Sequence, residues 1–476
     1  MTHTHPSSGS SSFSRLEKFV FIHTSVLVIA SGWVFGGNIW WMRLALQIWA
    51  SLSVVLTICA FRQTGSWGDT ARRKAWWLAP LVLFAALVVA SAFNPSFQTI
   101  ISEGESLRVH KGAAHPEWPS TVNPARSLVA LWLGAGVYLS AFNLVLTIRS
   151  RTMLRRLLIL IAINTLALSV IGTVQKLSGA GYYFGAATSP NIRFFGTFIY
   201  NNHWGAFMIL GLATATGLLF HHIRKHETRD LWHSPFSAAL MGVVFIAATA
   251  PISASRAATA MTGVIVVIAT LHALTHIAAG RRAEGRRAGP AIALLFVLVI
   301  AAVGATGWLG FHSINERYNE TRRAIDENQS VFGGRAALYR DTWTLASREP
   351  VFGWGLDSYA TAFKLVRPRP LQAKRQYEAS FVTAHNDWLQ SIAETGFVGT
   401  TLVLLMGVIP LAHVSRRSLN HTLILYPLLG CALIGLYACV EFPFATAAVL
   451  ITFWVLFFTT IRHAQLNDLA TRTRHE

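Results

Sequence analysis

FSAALMGVVFIAATAPISASRAATAMTGVIVVIATL, residues 236–271, contains a single charged side chain, Arg256. About twenty consecutive apolar residues suffice to cross a bilayer as a helix, so this stretch holds two crossings joined by the short turn from Pro251 to Arg256. The pattern recurs outward in both directions. Charge-free apolar runs begin near Phe19, Leu44, Trp76, Ser127, Leu157, Trp204, Phe236, Ala257, Pro290, Phe397, Thr422 and Phe444, each long enough to count as a candidate helix. The 476-residue chain is 53% hydrophobic and 13% charged, with a mean hydropathy of +0.44. That balance is too apolar and too poor in charge for an ordinary soluble protein of this length. The expected fold is an all-α polytopic membrane protein of about twelve transmembrane helices.

A net charge of +19 would ordinarily raise nucleic acid as a partner. The placement of the basic residues excludes it. With a cytoplasmic N-terminus, alternate connections carry Arg72-Arg73-Lys74, Arg149 to Arg156, Arg224-Lys225, Arg281-Arg282 with Arg286-Arg287, and Arg416-Arg417, and the tail carries Arg462, Arg472 and Arg474. All of these fall inside, as does the C-terminus, which is the charge bias that orients membrane helices. Cys59, Cys431 and Cys439 lie within expected spans, so no disulfide framework and no metal-type cysteine spacing is present.

The division that follows is a polar cytoplasmic leader over 1–18, read as preceding a retained first helix, then nine helices over 19–311 with external loops at 94–126 and 175–201. An external helical domain over 312–396 precedes the tenth helix, the last three helices span 397–462, and a cytoplasmic tail covers 463–476. The 312–396 region holds eleven of the forty Lys and Arg residues and is too long to be a plain connection. Inside it, Ser330 to Arg348 reads as a helix with Ala336, Tyr339, Trp343 and Ala346 on one face. A second helix is expected from Asp357 to Val366, and a third from Thr383 to Thr395 with Gly396 as its stop. No strand signal and no sequence repeat is evident.

Chemistry falls on a few outward positions. His385 leads the expected third helix, where spacing groups it with Trp388, Leu389 and Ile392. It reads either as a histidine tucked against an apolar face or as a neutral base whose protonation the helix dipole disfavours. Arg256 is the only charged residue between Trp232 and Gly280; it either snorkels to the interface or serves a site. Arg193, just before Asn201-Asn202-His203, is a solvated loop charge or a ligand-binding one. Two outward arginines and an outward histidine suit a lipid-linked phosphate or diphosphate, because the planar guanidinium donates two parallel hydrogen bonds to phosphate oxygens and stays charged. Trp343, Trp354 and Trp388 are candidates for stacking on sugar faces. There is no Gly-rich phosphate loop, no HExxH and no cofactor motif. Glu103, Glu105, Glu117 and Glu441 are the outward acids beyond the large domain, and they support no divalent-metal site.

Three stretches make the chain resemble the O-antigen ligase and polymerase family, multispanning glycosyltransferases of the bacterial inner membrane. His385-Asn386 with Leu389, Glu394, Gly396 and Gly399 looks like the family's histidine motif. Arg335 through Trp343 to Pro350, Gly353 and Gly355 is similar to the segment preceding it. Arg193 with Gly196, Thr197, Phe198, Asn202 and His203, and Ser255-Arg256, look like its two arginine stretches. The likeness covers roughly 157–399; Tyr200 departs from it, standing where many relatives have Asn. The resemblance implies metal-independent, inverting transfer of a glycan from undecaprenyl diphosphate to an acceptor hydroxyl on the periplasmic face. The acceptor would be a glycan, lipid A core or a protein, and no cofactor takes part. His385, Arg193 and Arg256 would be catalytic, with Arg193, Arg256, Asn202, Arg335, Asn386 and Trp388 binding substrate. A polysaccharide polymerase of the same family is an alternative. A transporter of lipid-linked glycans is a rival from another class, but the spans carry no midplane charge and no matching halves.

Overall fold

The computed structural model describes residues 14–102, 105–179, 182–183, 187–188, 191, 193–225, 235–309, 315, 333–366 and 382–472. Ten helices fill the first part of the chain: α1 Arg15–Trp33, α2 Trp40–Phe61, α3 Gly65–Arg73, α4 Ala79–Ala92, α5 Pro124–Thr147, α6 Arg151–Leu177, α7 Asn201–Lys225, α8 Pro235–Ile252, α9 Arg256–Ala283 and α10 Gly289–Leu309. Five follow: α11 Gly333–Arg348, the short α12 Tyr359–Ala362, α13 Asp387–Ala412, α14 Thr422–Tyr437 and α15 Ala447–Arg472. The leader up to Phe13, the expected domain at 316–332 and 367–381, and the tail from 473 lie outside the described residues.

Among the described residues nine helices are long and apolar enough to cross a membrane, α3 and α4 together supplying one of them. Three further apolar helices, Phe236–Ile252, Gly289–Ala301 and Thr422–Tyr437, are shorter. The 16 residues of α14 reach about 24 Å at 1.5 Å per residue, short of the roughly 30 Å hydrocarbon layer. The outer faces match a lipid environment: Phe19, Val55, Val82, Val267 and Val297 are each more than half exposed. The chain is a multi-pass, predominantly helical membrane protein.

Helices α7 and α15 form the centre, with 83% and 89% of their apolar windows buried, against 17% for α9. Small residues on α7 make this possible. A methyl placed on Gly211 would lie 2.1 Å from Thr165 Oγ1 of α6, one on Gly205 2.5 Å from Ala258 Cβ of α9, and one on Gly217 2.8 Å from the Thr422 carbonyl of α14. Three neighbours thus approach one backbone.

Two expectations need correction here. The absence of strands fails for loop 94–126, where β1 Phe97–Ser102 pairs antiparallel with β2 Glu105–His110; Thr, Ile and Val at alternating positions favour a pleated ribbon. A second pair, β3 Tyr182–Tyr183 with β4 Ala187–Thr188, is minimal. The buried face of α11 also differs, running through Leu338, Thr342, Leu345 and Ala346, while Trp343 is half exposed.

Loop 94–126 and the segment around α11 and α12 share one small core. Phe97 and Val122 pack with Leu338, Leu345, Trp354 and Phe363. Val122 N–H donates to the Trp354 carbonyl at 3.1 Å, and Arg126 pairs with Asp357 at 3.0 Å. Trp354 is 4% exposed and its indole N–H donates to the Leu345 carbonyl at 3.0 Å. It is a core residue, which removes it as a sugar-stacking surface.

Candidate functional site

The loop between α14 and α15 carries Glu441, whose side chain is nearly fully buried. Around it the ends of three helices are fastened. At the start of α13 the Asp387 N–H donates to the Ala438 carbonyl at 2.8 Å, and the Asp387 carboxylate accepts from Phe444 N–H at 2.9 Å. Asn386 caps α13 by accepting from Leu389 N–H at 3.0 Å, which leaves the residue before it outside the helix. That residue is His385, with a left-handed φ of 51°, a conformation costly for a side chain of this kind. Tyr339 of α11 holds it by donating to the His385 carbonyl at 2.9 Å. The first-turn position expected for His385 is therefore corrected: the helix begins two residues later, because Asn386 is the better cap.

His385 Nδ1 lies 3.4 Å from Glu441 Oε2, and its ring meets Phe442 edge-on at 4.6 Å. The other carboxylate oxygen, Oε1, accepts from the Arg335 guanidinium and from Asn202 Nδ2 at 2.8 Å. Arg335 also donates to the Val440 carbonyl at 3.0 Å, and Asn202 to the Tyr200 hydroxyl at 2.7 Å. The Tyr200 ring stacks on Phe442 at 5.4 Å, so the departure at this position has its own place in the cluster. Burial pushes the Glu441 carboxyl up, but the hydrogen bond from His385 and the charge of Arg335 outweigh it and hold the group below the ordinary carboxylate range. Burial likewise lowers Arg335, and Glu441 more than restores it. These donors favour the charged form of the carboxylate.

The structure thus brings His385, Arg335 and Asn202 of the expected set onto one carboxylate. Trp388 is the second residue of α13, with its indole N–H donating to the Gly435 carbonyl at 2.8 Å. Arg256 is the exposed first residue of α9, placed by the left-handed Ala254 and by Ser255, which caps the helix. Ser255 Oγ lies 3.3 Å from the Tyr437 hydroxyl, and that hydroxyl donates to the Asn202 carbonyl at 3.0 Å. Arg256 therefore sits one residue from a chain of contacts ending at Glu441. Arg193 is exposed at the start of the turn entering α7. That turn is anchored by Thr197 donating to the Gly32 carbonyl at 2.5 Å and by Phe195 stacked on Trp204 at 4.9 Å.

Glu441 is the residue that sequence reasoning passed over as a site member. Its signal was available: it is the only charged residue between Arg417 and Arg462, the same isolation that drew attention to Arg256. Among the described residues no group of three or more His, Cys, Asp and Glu side chains is arranged to hold a metal ion.

Residues 241–404 match the family model described as O-antigen ligase. The chain carries an O-antigen ligase family domain. The matched span includes Arg256, Arg335, His385, Asn386 and Trp388 and stops short of Glu441; Arg193 and Asn202 lie before it. At family level the match supports an O-antigen ligase-like membrane glycosyltransferase. No curated protein matches the chain.

Proposed function

We propose that the chain transfers a glycan from undecaprenyl diphosphate to an acceptor hydroxyl on the periplasmic face of the bacterial inner membrane, with His385 as general base and both termini cytoplasmic. The observation that carries this reading is the contact of His385 Nδ1 with the buried Glu441 carboxylate. With Nδ1–H donating to Glu441, Nε2 carries the lone pair and can take the acceptor's proton. The acceptor oxygen then attacks the anomeric carbon from the face opposite the diphosphate, the C–O bond to the diphosphate breaks, and the configuration inverts. Glu441 stabilises the imidazolium that forms. Arg335 and Asn202 hold Glu441 and so act through it.

Arg193 and Arg256 take the diphosphate and stabilise its charge as it leaves, the larger effect where the leaving group is already good. Arginine supplies that charge without a divalent ion. Asn386 and Trp388 border the same end of α13, where sugar units of the donor would lie.

The test is to incubate the purified protein with a lipid-diphosphate-linked oligosaccharide and glycan, lipid A core and peptide acceptors, identifying products by mass spectrometry. His385→Ala is expected to remain folded and inserted while transfer falls by about 10² to 10⁴; near-normal turnover removes the general base. Arg256→Lys, which keeps charge but loses the fork, is expected to lose activity clearly, whereas unchanged kinetics assign Arg256 to interface snorkelling.

A further inference from the structure

At the opposite end of the helices a second cationic site is built. From Ala447 to Arg462 the chain descends α15 by about 22 Å at 1.5 Å per residue, and there α3 and α15 border a cavity of about 310 Å³. Trp67, Thr70, Arg73, Lys74, Arg462 and Leu469 are among its walls. Arg462 is 1% exposed. Its Nε–H donates to the Ile148 carbonyl at 2.6 Å and an Nη–H to Gln465 Oε1 at 3.3 Å. Lys74 Nζ donates to that same Gln465 oxygen at 2.5 Å, so two cations share one neutral acceptor. The Trp67 ring adds a weak cation site, with the Arg149 guanidinium 4.8 Å and the Arg462 guanidinium 5.7 Å from its centroid.

No carboxylate lies within ion-pair distance of Arg73, Lys74 or Arg462 among the described residues. Glu17, whose charge reaches Arg462, already accepts from the Arg149 and Ser14 N–H groups. Asp69 is paired with Arg72. Arg462 is buried without an ion-paired carboxylate, which is costly, while Lys74 is half-buried and Arg73 exposed beside it; an anion in the cavity would complete the arrangement. The walls also include the exposed apolar Leu469, which a simple inorganic anion would not need. Arg149 and Arg151 reach this end too, donating to Gln63 Oε1 at 2.8 Å and to Asn467 Oδ1 at 3.3 Å, and it is the end that the charge bias assigns to the leaflet whose anionic lipids attract juxtamembrane Lys and Arg.

We propose that this cavity binds the phosphate of an anionic phospholipid, with Arg73, Lys74 and Arg462 on the phosphate oxygens and Trp67 and Leu469 against the glycerol and upper acyl chain. The site is independent of the glycan-transfer reading and is tested by binding alone. The full chain in detergent is titrated with phosphatidylglycerol, with phosphatidylcholine and with inorganic phosphate, following bound lipid by native mass spectrometry and Tm. Phosphatidylglycerol is expected to bind and raise Tm, and phosphatidylcholine to do neither. The R73Q/K74Q variant, which leaves buried Arg462 in place, is expected to bind phosphatidylglycerol about thirtyfold more weakly, each near-surface cation contributing about a fivefold factor. Equal binding of the two lipids by the unaltered chain, or unchanged affinity in R73Q/K74Q, overturns the proposal. Full stabilisation by inorganic phosphate alone overturns the lipid assignment in favour of a soluble anion. If R73Q/K74Q fails to fold, the two-lipid comparison on the unaltered chain decides.

Discussion

A carboxylate that loses its water stays charged only where donors replace it, and Glu441 receives them from Arg335, Asn202 and His385. Glu441→Gln keeps the volume but removes the charge that orients the imidazole and stabilises its protonated form. In the proposed reaction kcat is expected to fall about 10- to 100-fold with little change in KM for the lipid donor, as measured by steady-state kinetics on reconstituted protein; an unchanged kcat would leave Glu441 a purely structural residue. The same charge has a pH signature. The folded carboxyl is held below its ordinary value of 4.5, so its stabilising contribution is complete above that pH and is lost as pH falls through the lower folded value. The Tm advantage of the unaltered chain over Glu441→Gln should therefore persist from neutral pH to about 4.5 and shrink below it. Arg256 was visible because it is a lone charge in an apolar stretch, His385 because it leads the expected helix, and Arg193 because it stands just before Asn201-Asn202-His203. The use of Glu441 by His385 was hidden, since 56 residues separate His385 from the carboxylate.

Helix α13 shows what element-level reading can and cannot do. Gly396 was read as a helix stop, and a break does occur there, with φ 64° and ψ −174°. The chain nevertheless resumes as helix through Ala412. The turn from Pro350 to Gly355 inserts at the break, with Phe397 N–H donating to the Pro350 carbonyl at 2.9 Å and Gly355 N–H to the Glu394 carbonyl at 2.7 Å. Glu394 in turn accepts from Asp357 N–H at 2.9 Å and Tyr359 N–H at 3.2 Å at the head of α12. A glycine signals freedom in the backbone; it does not say whether the helix ends or bends. Only glycine tolerates this φ and ψ, and a Cβ at Gly396 would lie 2.1 Å from the Val351 carbonyl oxygen. Gly396→Ala is expected to destabilise by about 2–3 kcal/mol, read as a lower Tm of the purified protein. A Tm equal to that of the unaltered chain would contradict the strained geometry.

Across the whole molecule, the site depends on how closely helices approach α7. At Gly205 the α7 backbone meets the side chains of Ala258 and Ser255 at the start of α9, and the Ser255–Tyr437–Asn202 contacts pass beside it. Gly205→Val must push α9 away. An overpacking cost of about 1–3 kcal/mol is expected in Tm, together with a loss of turnover beyond what the lost stability explains, since Arg256 moves with α9. Preserved turnover in a destabilised Gly205→Val variant would show that the start of α9 is not coupled to the reaction. Loop 94–126 teaches the same lesson. Nothing in its sequence tied it to the segment after α10, yet Phe97 and Val122 complete the core around Trp354.

Long apolar runs, the bias of Lys and Arg between alternate connections, and the isolated Arg256 were legible along the chain, because lipid imposes burial and length one segment at a time. The partners of His385, the bend in α13, the core joining two distant loops and the paired cations at the far end of α15 were not. Each depends on groups dozens to hundreds of residues apart being packed within a few ångströms, and local periodicity carries no record of which distant segment supplies the other half of a contact.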